Sequence, residues 1–163
     1  MTVEEALQRI LKSYKRYYNI KTEDAAAPFA AEAVFHTHDE QFFLVKAARL
    51  AEADAHEYVF FATADSIGLS DAESLDEAAW NEGMSRVVPH ANHRSTDIVL
   101  ILLAEHISED AADYIKKIKR YKSYRHTLQG WSNYSVVAME TSTGDFFCNR
   151  RGRNLKKLFG NIK

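Results

Sequence analysis

The sequence predicts an α/β domain, with α+β as the nearest alternative: a mixed sheet of about five to six strands with helices on its faces, ordered α-β-β-β-α-β-α-β-β-α. Three observations carry this prediction. First, Ile98 to Ala104 are seven consecutive apolar residues held between Asp97 and Glu105. A run of that length without alternation suits a strand buried on both faces, and it would make only about two turns of helix. Second, amphipathic helical patterns lie on either side of the run and can cover it. Third, 163 residues with a 46% hydrophobic and 27% charged composition fit one domain, 1–163, with a substantial core.

Val3, Ala6, Leu7, Ile10, Leu11, Tyr14, Tyr17 and Tyr18 recur at helical spacing. Thr2 and Glu5 form a capping box, so a helix is expected from Val3 to near Asn19, with Arg9, Lys12, Lys15 and Arg16 on its polar face. Thr22 to Pro28 reads as a connector. Phe29 to His38 reads as a strand, His38-Asp39-Glu40 as a turn and Gln41 to Lys46 as a second strand. Ala47 to Asp54 is ambiguous between helix and strand. With a strand at Glu57 to Ala64, a three-strand meander results.

Ser70 and Glu73 form a further capping box, opening a helix expected to reach Val88 and stop at Pro89. His90 to Ser95 is expected as a loop before the central strand. Ser108 caps the next helix, whose Ala111, Ile115, Ile118 and Tyr121 face inward and whose natural stop is Gly130. Asn133 to Glu140 and Asp145 to Cys148 read as a hairpin around Thr141 to Gly144, and a short helix from Asn154 to Phe159 closes the chain.

Bulk properties exclude several classes. The formal net charge of -2 and pI near 6.4 give no global attraction to nucleic acid or anionic membrane. Cys148 is the single cysteine, which rules out an intrachain disulfide and a multi-cysteine zinc site. The N-terminus lacks the basic and apolar regions of a signal peptide, and no apolar run approaches a membrane span of about 18 residues. A cytoplasmic protein without a membrane partner is expected. Glycines only at 68, 83, 130, 144, 152 and 160 exclude a P-loop and a dinucleotide fingerprint, and no cofactor is expected.

Charge is divided along the chain. Leu50 to Ser85 holds nine acidic residues and no Lys or Arg, whereas Lys116 to Arg125 and Arg150 to Lys163 hold six basic residues each and no acidic ones. The segment Asn149 to Lys157, N-R-R-G-R-N-L-K-K, is the best binding motif. Gly152 suits a tight turn, and Arg150, Arg151, Arg153, Lys156 and Lys157 can offer charge-assisted hydrogen bonds to phosphate or carboxylate. Tyr114, Tyr121 and Tyr124 accompany the other basic stretch and could stack on bases. The competing expectation is that these cations pair with the acidic segment and serve the fold.

Histidines supply the second set of candidates. His36 and His38, two apart on a strand, share one face with Glu32, and two imidazoles with a carboxylate can hold zinc. His90 and His93 form a second pair before the central strand. His56 and His106 have no suggestive neighbours in sequence. Missing third and fourth ligands at recognisable spacing argue against tightly held zinc.

Some resemblances follow from these residues. The H-x-H pair is similar to that of zinc-dependent deubiquitinase-like metalloproteases, but Lys46 and Arg49 stand where that family needs serine and aspartate. The element order loosely resembles restriction-endonuclease-like nucleases, yet no E-x-K or D-x-K occurs, and Glu57-Tyr-Val stands in its place. Lys122-Ser-Tyr124, Gly130-Trp131, Asn149 to Arg153 and Leu155-Lys-Lys157 resemble an uncharacterised family of small single-domain bacterial proteins. That resemblance implies no known activity. Two functional readings result: a non-catalytic domain meeting a protein or polyanion through its basic C-terminal half, or a metal-dependent hydrolase using His36, His38 and a carboxylate. Oligomeric state is left open by both.

Overall fold

A computed structural model describes residues 1–36, 54–88, 93–125 and 130–162. The expected strand at 41–46, the turn at 38–40, the ambiguous segment to residue 53, Pro89 and His90 lie outside the described residues. Helix α1, Val3–Tyr14, begins where the capping box places it: Glu5 N–H donates to Thr2 Oγ1 at 3.1 Å and Thr2 N–H to Glu5 Oε2 at 2.8 Å. It ends short of Asn19, because Asn19–Lys21 become strand β1 and pair with the next strand, β2 (Ala31–His36).

Strand β3, Asp54–Ile67, runs beyond the expected Glu57 to Ala64. Its length leaves only Gly68 to turn the chain into helix α2, Leu69–Ser85, so the cap moves forward from Ser70. Gly68 N–H donates to Asp71 Oδ2 at 2.9 Å. Helix α2 stops at Ser85, before the expected Val88. Strand β4, His93–Ile107, takes in residues 93–95, which the sequence reads as loop.

Ser108 caps helix α3, Glu109–Lys117, accepting from Ala111 N–H at 3.3 Å. The helix ends well before Gly130, because Ile118 adopts an extended ψ of 127° and Tyr121–Ser123 form strand β5. Tyr121 is therefore an edge-strand residue, 50% exposed, rather than an inward helical one. Strands β6, Trp131–Glu140, and β7, Phe146–Cys148, make the expected hairpin, with Gly144 at φ 80° in its turn. A 3-10 helix, Arg151–Leu155, runs into helix α4, Lys156–Gly160.

Among the described residues the strands form one mixed sheet ordered β1-β2-β3-β4-β6-β5, with β7 also on β6. β2 runs antiparallel to both β1 and β3, β3, β4 and β6 are parallel, and β5 and β7 each run antiparallel to β6. The α/β class and the mixed sheet are as the sequence predicts.

Residues Ile98 to Ala104 are all buried, none more than 2% exposed. The alternation of a strand divides them between two cores. Ile98, Leu100 and Leu102 pack with residues of α2 and α3, while Val99, Ile101 and Leu103 pack with Leu7, Ile10 and Leu11 of α1 and Phe159 of α4. Parallel strands with both faces covered account for the unbroken apolar run. Leu100, fully buried, is a direct check of this assignment. Leu100→Asp is expected to abolish folding, because an unpaired buried carboxylate costs several kcal/mol, roughly the stability of a domain. Loss of soluble protein or of a cooperative melting transition is the expected readout.

Candidate functional site

Asn149 anchors the start of the basic C-terminal segment to the sheet. Along the outer edge of β6, β5 covers residues 131–133 and β7 covers residues 137–139, which leaves a gap between them. Asn149 fills it as a strand would. Its Oδ1 accepts from Val136 N–H at 3.0 Å, its Nδ2 donates to the Tyr134 carbonyl at 3.1 Å, and its backbone N–H donates to the Val136 carbonyl at 3.1 Å. The same side chain donates to the Ile118 carbonyl at 3.2 Å and accepts from Gly152 N–H at 2.9 Å. Buried Asn149 is thus fully satisfied and ties β6, the end of α3 and the 3-10 helix together.

Gly152 has a different role from the tight turn expected of it. A Cβ there would lie 2.5 Å from the Val136 carbonyl oxygen and 2.9 Å from Val137 Cγ1, so glycine is needed for close approach to β6. With Gly152 buried against the sheet, its neighbours Arg150, Arg151 and Arg153 are exposed, as are Lys156 and Lys157. Among the described residues none of these five cations is paired with a carboxylate. Helix α4 lies over the same face of the sheet as α1, and Arg9 Nη1 donates to the Ile162 carbonyl at 2.8 Å. Exposed Arg9, Lys12, Lys15 and Arg16 of the α1 region therefore share a side of the molecule with the C-terminal cluster.

Other cations serve the fold. Asp76, 2% exposed, accepts from Arg120 Nε and Nη2 at 3.0 and 3.1 Å and from Tyr114 at 2.5 Å. Burial, and then the Asp76 carboxylate, push the Tyr114 hydroxyl up to about 12. Glu32, 1% exposed, receives a two-pronged contact from Arg86 at 3.2 and 3.0 Å, and Arg86 also bonds Glu82. The guanidinium lies over the Tyr58 and Phe60 rings. Asp76 and Glu82 of the acidic segment are thus partnered by Arg120 and Arg86, and Arg86 also takes Glu32 outside it. Neither buried pair was visible in sequence, since their members are 54 and 44 residues apart.

A third polar group crosses three parallel strands. Glu57, Asp97 and Asn133 occupy one cross-strand row on the α1 face. Tyr18 donates to Glu57, and Asn133 Nδ2 donates to Asp97 Oδ1 at 3.0 Å. Among the described residues Asn133 Oδ1 is the buried side-chain acceptor left without a partner. Burial, reinforced by the Asp97 charge, raises the Glu57 carboxyl to about 8.

His38 and His90 lie outside the described residues. The register sets His36 opposite His56 and His93 opposite Asp54, partners that sequence spacing does not reveal. At the other end of the sheet an open cleft of about 840 Å³ is lined by Thr2, Glu5, Thr63, Asp65, Glu105 and Thr141 among others. No helix among the described residues is long and apolar enough to cross a membrane.

A family model described as a domain of unknown function (DUF8052) matches residues 2–161. The resemblance read from the C-terminal motifs to an uncharacterised family is borne out. No curated protein and no solved structure gives a significant match.

Two variants probe this geometry. Asn149→Ala strands the N–H groups of Val136 and Gly152 and the carbonyls of Ile118 and Tyr134, and is expected to lower stability by about 2 to 4 kcal/mol in denaturant unfolding. For Glu57 the folded state holds its proton to higher pH than the unfolded chain does, so its contribution to stability falls as pH rises from about 4.5 to about 8. Glu57→Gln is expected to flatten that decline and to be the more stable form above about pH 8. Melting curves of both proteins across this range check it.

Proposed function

The chain belongs to this uncharacterised family, DUF8052, whose model spans nearly all of it, and we propose that it is a non-catalytic binding domain for an anionic partner. The site is the basic surface of Arg150, Arg151, Arg153, Lys156 and Lys157. One observation carries the reading: all five cations are exposed and, among the described residues, none has a carboxylate partner, whereas Arg86 and Arg120 take up buried acids of the fold. Cations retained for stability are expected at buried carboxylates, as those two are. Cations fixed on a rigid backbone and left to solvent suit charge-assisted bonds to phosphate or carboxylate.

The anchoring supports the same reading. Asn149 and Gly152 hold the carrier of the cluster against β6, so a ligand would meet a preorganised surface instead of ordering a tail. The basic residues of α1, on the same side, would extend the contact for an elongated polyanion. The net charge of -2 makes this a local attraction. A small bacterial cytoplasmic protein belongs to the same proposal, the free Cys148 supporting a reducing compartment.

Binding to heparin, nucleic acid or nucleotides at roughly 50 mM salt is expected, weakening steeply with added salt as counterions are released. Changing Arg150, Arg151 and Arg153 together to alanine should abolish it, while stability changes by no more than about 0.5 kcal/mol per site, as for exposed positions. Wild-type protein that ignores every polyanion at low salt, or a triple variant that unfolds, would end the proposal in favour of a structural role for the arginines.

A further inference from the structure

We propose that the anionic partner is single-stranded nucleic acid, with a base stacked on Tyr121 and the adjoining phosphates held by Arg150, Arg151 and Arg153. This rests on the anion-binding reading above and narrows it to one chemical class. Three tyrosines accompany the basic stretch Lys116 to Arg125, and the fold uses two of them. The Tyr114 hydroxyl donates to buried Asp76 at 2.5 Å. Tyr124 is 9% exposed, and its hydroxyl lies 2.9 Å from Ser132 Oγ. Tyr121 is left open. At 50% exposure it is the one exposed aromatic side chain among the described residues.

The strand register puts that ring on the side of the molecule that carries the basic cluster. Tyr121 on β5 is directly opposite Asn133 on β6, and directly opposed residues share a face. Asn133 belongs to the row with Asp97 and Glu57 on the α1 face, which α4 also covers. Further along the same edge of β6, the Asn149 N–H donates to the Val136 carbonyl. The step from Asn133 to Val136 is about 10 Å along a strand. Both β5 and β7 run antiparallel to β6, so the chain leaving β7 through Asn149 heads toward the end of β5 that carries Tyr121. Arg150 is the next residue.

The Asn149 side chain brings the two basic stretches together at this point. Its Nδ2 donates to the Ile118 carbonyl at 3.2 Å, which sets exposed Lys117 and Lys119 beside the start of the C-terminal cluster. Lys116 pairs with Asp113 and Arg120 with Asp76, but Lys117 and Lys119 have no carboxylate partner among the described residues. An open aromatic ring thus stands within a strip of unpaired cations.

Such a strip calls for a ligand with both a free π-face and a chain of negative charge. Single-stranded nucleic acid has both, because its bases stack on aromatic side chains while cations track its phosphates. Sulfated polysaccharides and anionic lipid surfaces bring charge without an aromatic face. Bases within a duplex are stacked on one another and offer Tyr121 no face to meet.

The test measures anisotropy of a fluorescently labelled single-stranded oligonucleotide with the full chain at roughly 50 mM salt. An abasic strand with the same number of phosphates, the matching duplex and heparin are measured beside it. Wild-type protein is expected to bind the base-bearing strand more tightly than the abasic strand or the duplex. Tyr121→Ala should weaken binding of the base-bearing strand by about 5- to 150-fold, the loss of one stacked base, and leave the abasic strand unaffected. Tyr121→Phe keeps the ring and should bind as wild type does. Melting curves check that both variants fold, and the comparison of strands on wild-type protein decides the matter without them. Equal binding of base-bearing and abasic strands, tighter binding of the duplex, or a folded Tyr121→Ala that binds as wild type overturns this inference. If heparin still binds and the triple arginine variant still loses it, the broader anion-binding reading survives that result. Wild-type protein that binds neither strand nor heparin overturns both.

Discussion

Every layer of this fold depends on the need to cover β4 on both faces. Seven residues, Ile98 to Ala104, offer no polar side chain to water on either side, so a sheet with one wet face is not available. Helices α2 and α3 cover one face and follow directly from the crossover connections of β3, β4 and β6. The other face has no such local source. It is covered by α1 from the start of the chain and α4 from its end, and the bond from Arg9 to the Ile162 carbonyl joins the two. Phe159 and Ile162, 2% and 3% exposed, make the C-terminal segment part of the core. The basic cluster is therefore carried by a structural element, and its position is fixed by packing that the sheet itself demands.

Buried carboxylates are handled in two different ways, and the difference bears on function. An unpaired buried charge is costly by several kcal/mol. Glu32 and Asp76 meet that requirement with Arg86 and Arg120, each through two guanidinium contacts. Glu57 meets it with the Tyr18 hydroxyl and with its own proton, since burial raises its carboxyl to about 8. Supplying arginines to the first two uses cations from the end of α2 and from the stretch after α3. Arg150, Arg151 and Arg153 are spent on none of them, which is what separates the two basic segments that look equivalent in sequence.

The sequence made the elements legible where one local signal determined them. The apolar run of β4, the Thr2 and Ser108 caps and the Gly144 turn each act within a few residues. What it concealed depends on register or on tertiary approach. β1 and β5 are three-residue edge strands with no pattern long enough to read, and they exist because β2 and β6 offer unpaired edges. Gly152 looked like a turn residue, but its requirement comes from a carbonyl on another strand. The Glu57–Asp97–Asn133 row and the His36–His56 opposition have the same character. Each residue was in view, and its partner was set only by how strands align.

The placement of polar groups along the sheet also departs from the usual pattern of open α/β folds, where ligands sit beyond the carboxyl ends of the strands. That end carries the cleft of about 840 Å³ beside the start of α1. A helix N-terminus attracts anions, but here Glu4 and Glu5 occupy the first turn and Glu5 is engaged by the Thr2 cap. Asp65 and Glu105 add further negative charge to the lining. The helix dipole and the acidic walls oppose one another, so the cleft favours neither a bound anion, which the walls repel, nor a bound cation, which the dipole repels. The exposed cations are elsewhere, on the α1 and α4 face. On the anion-binding reading, ligand contact is accordingly expected at a face that the general rule for such sheets would pass over.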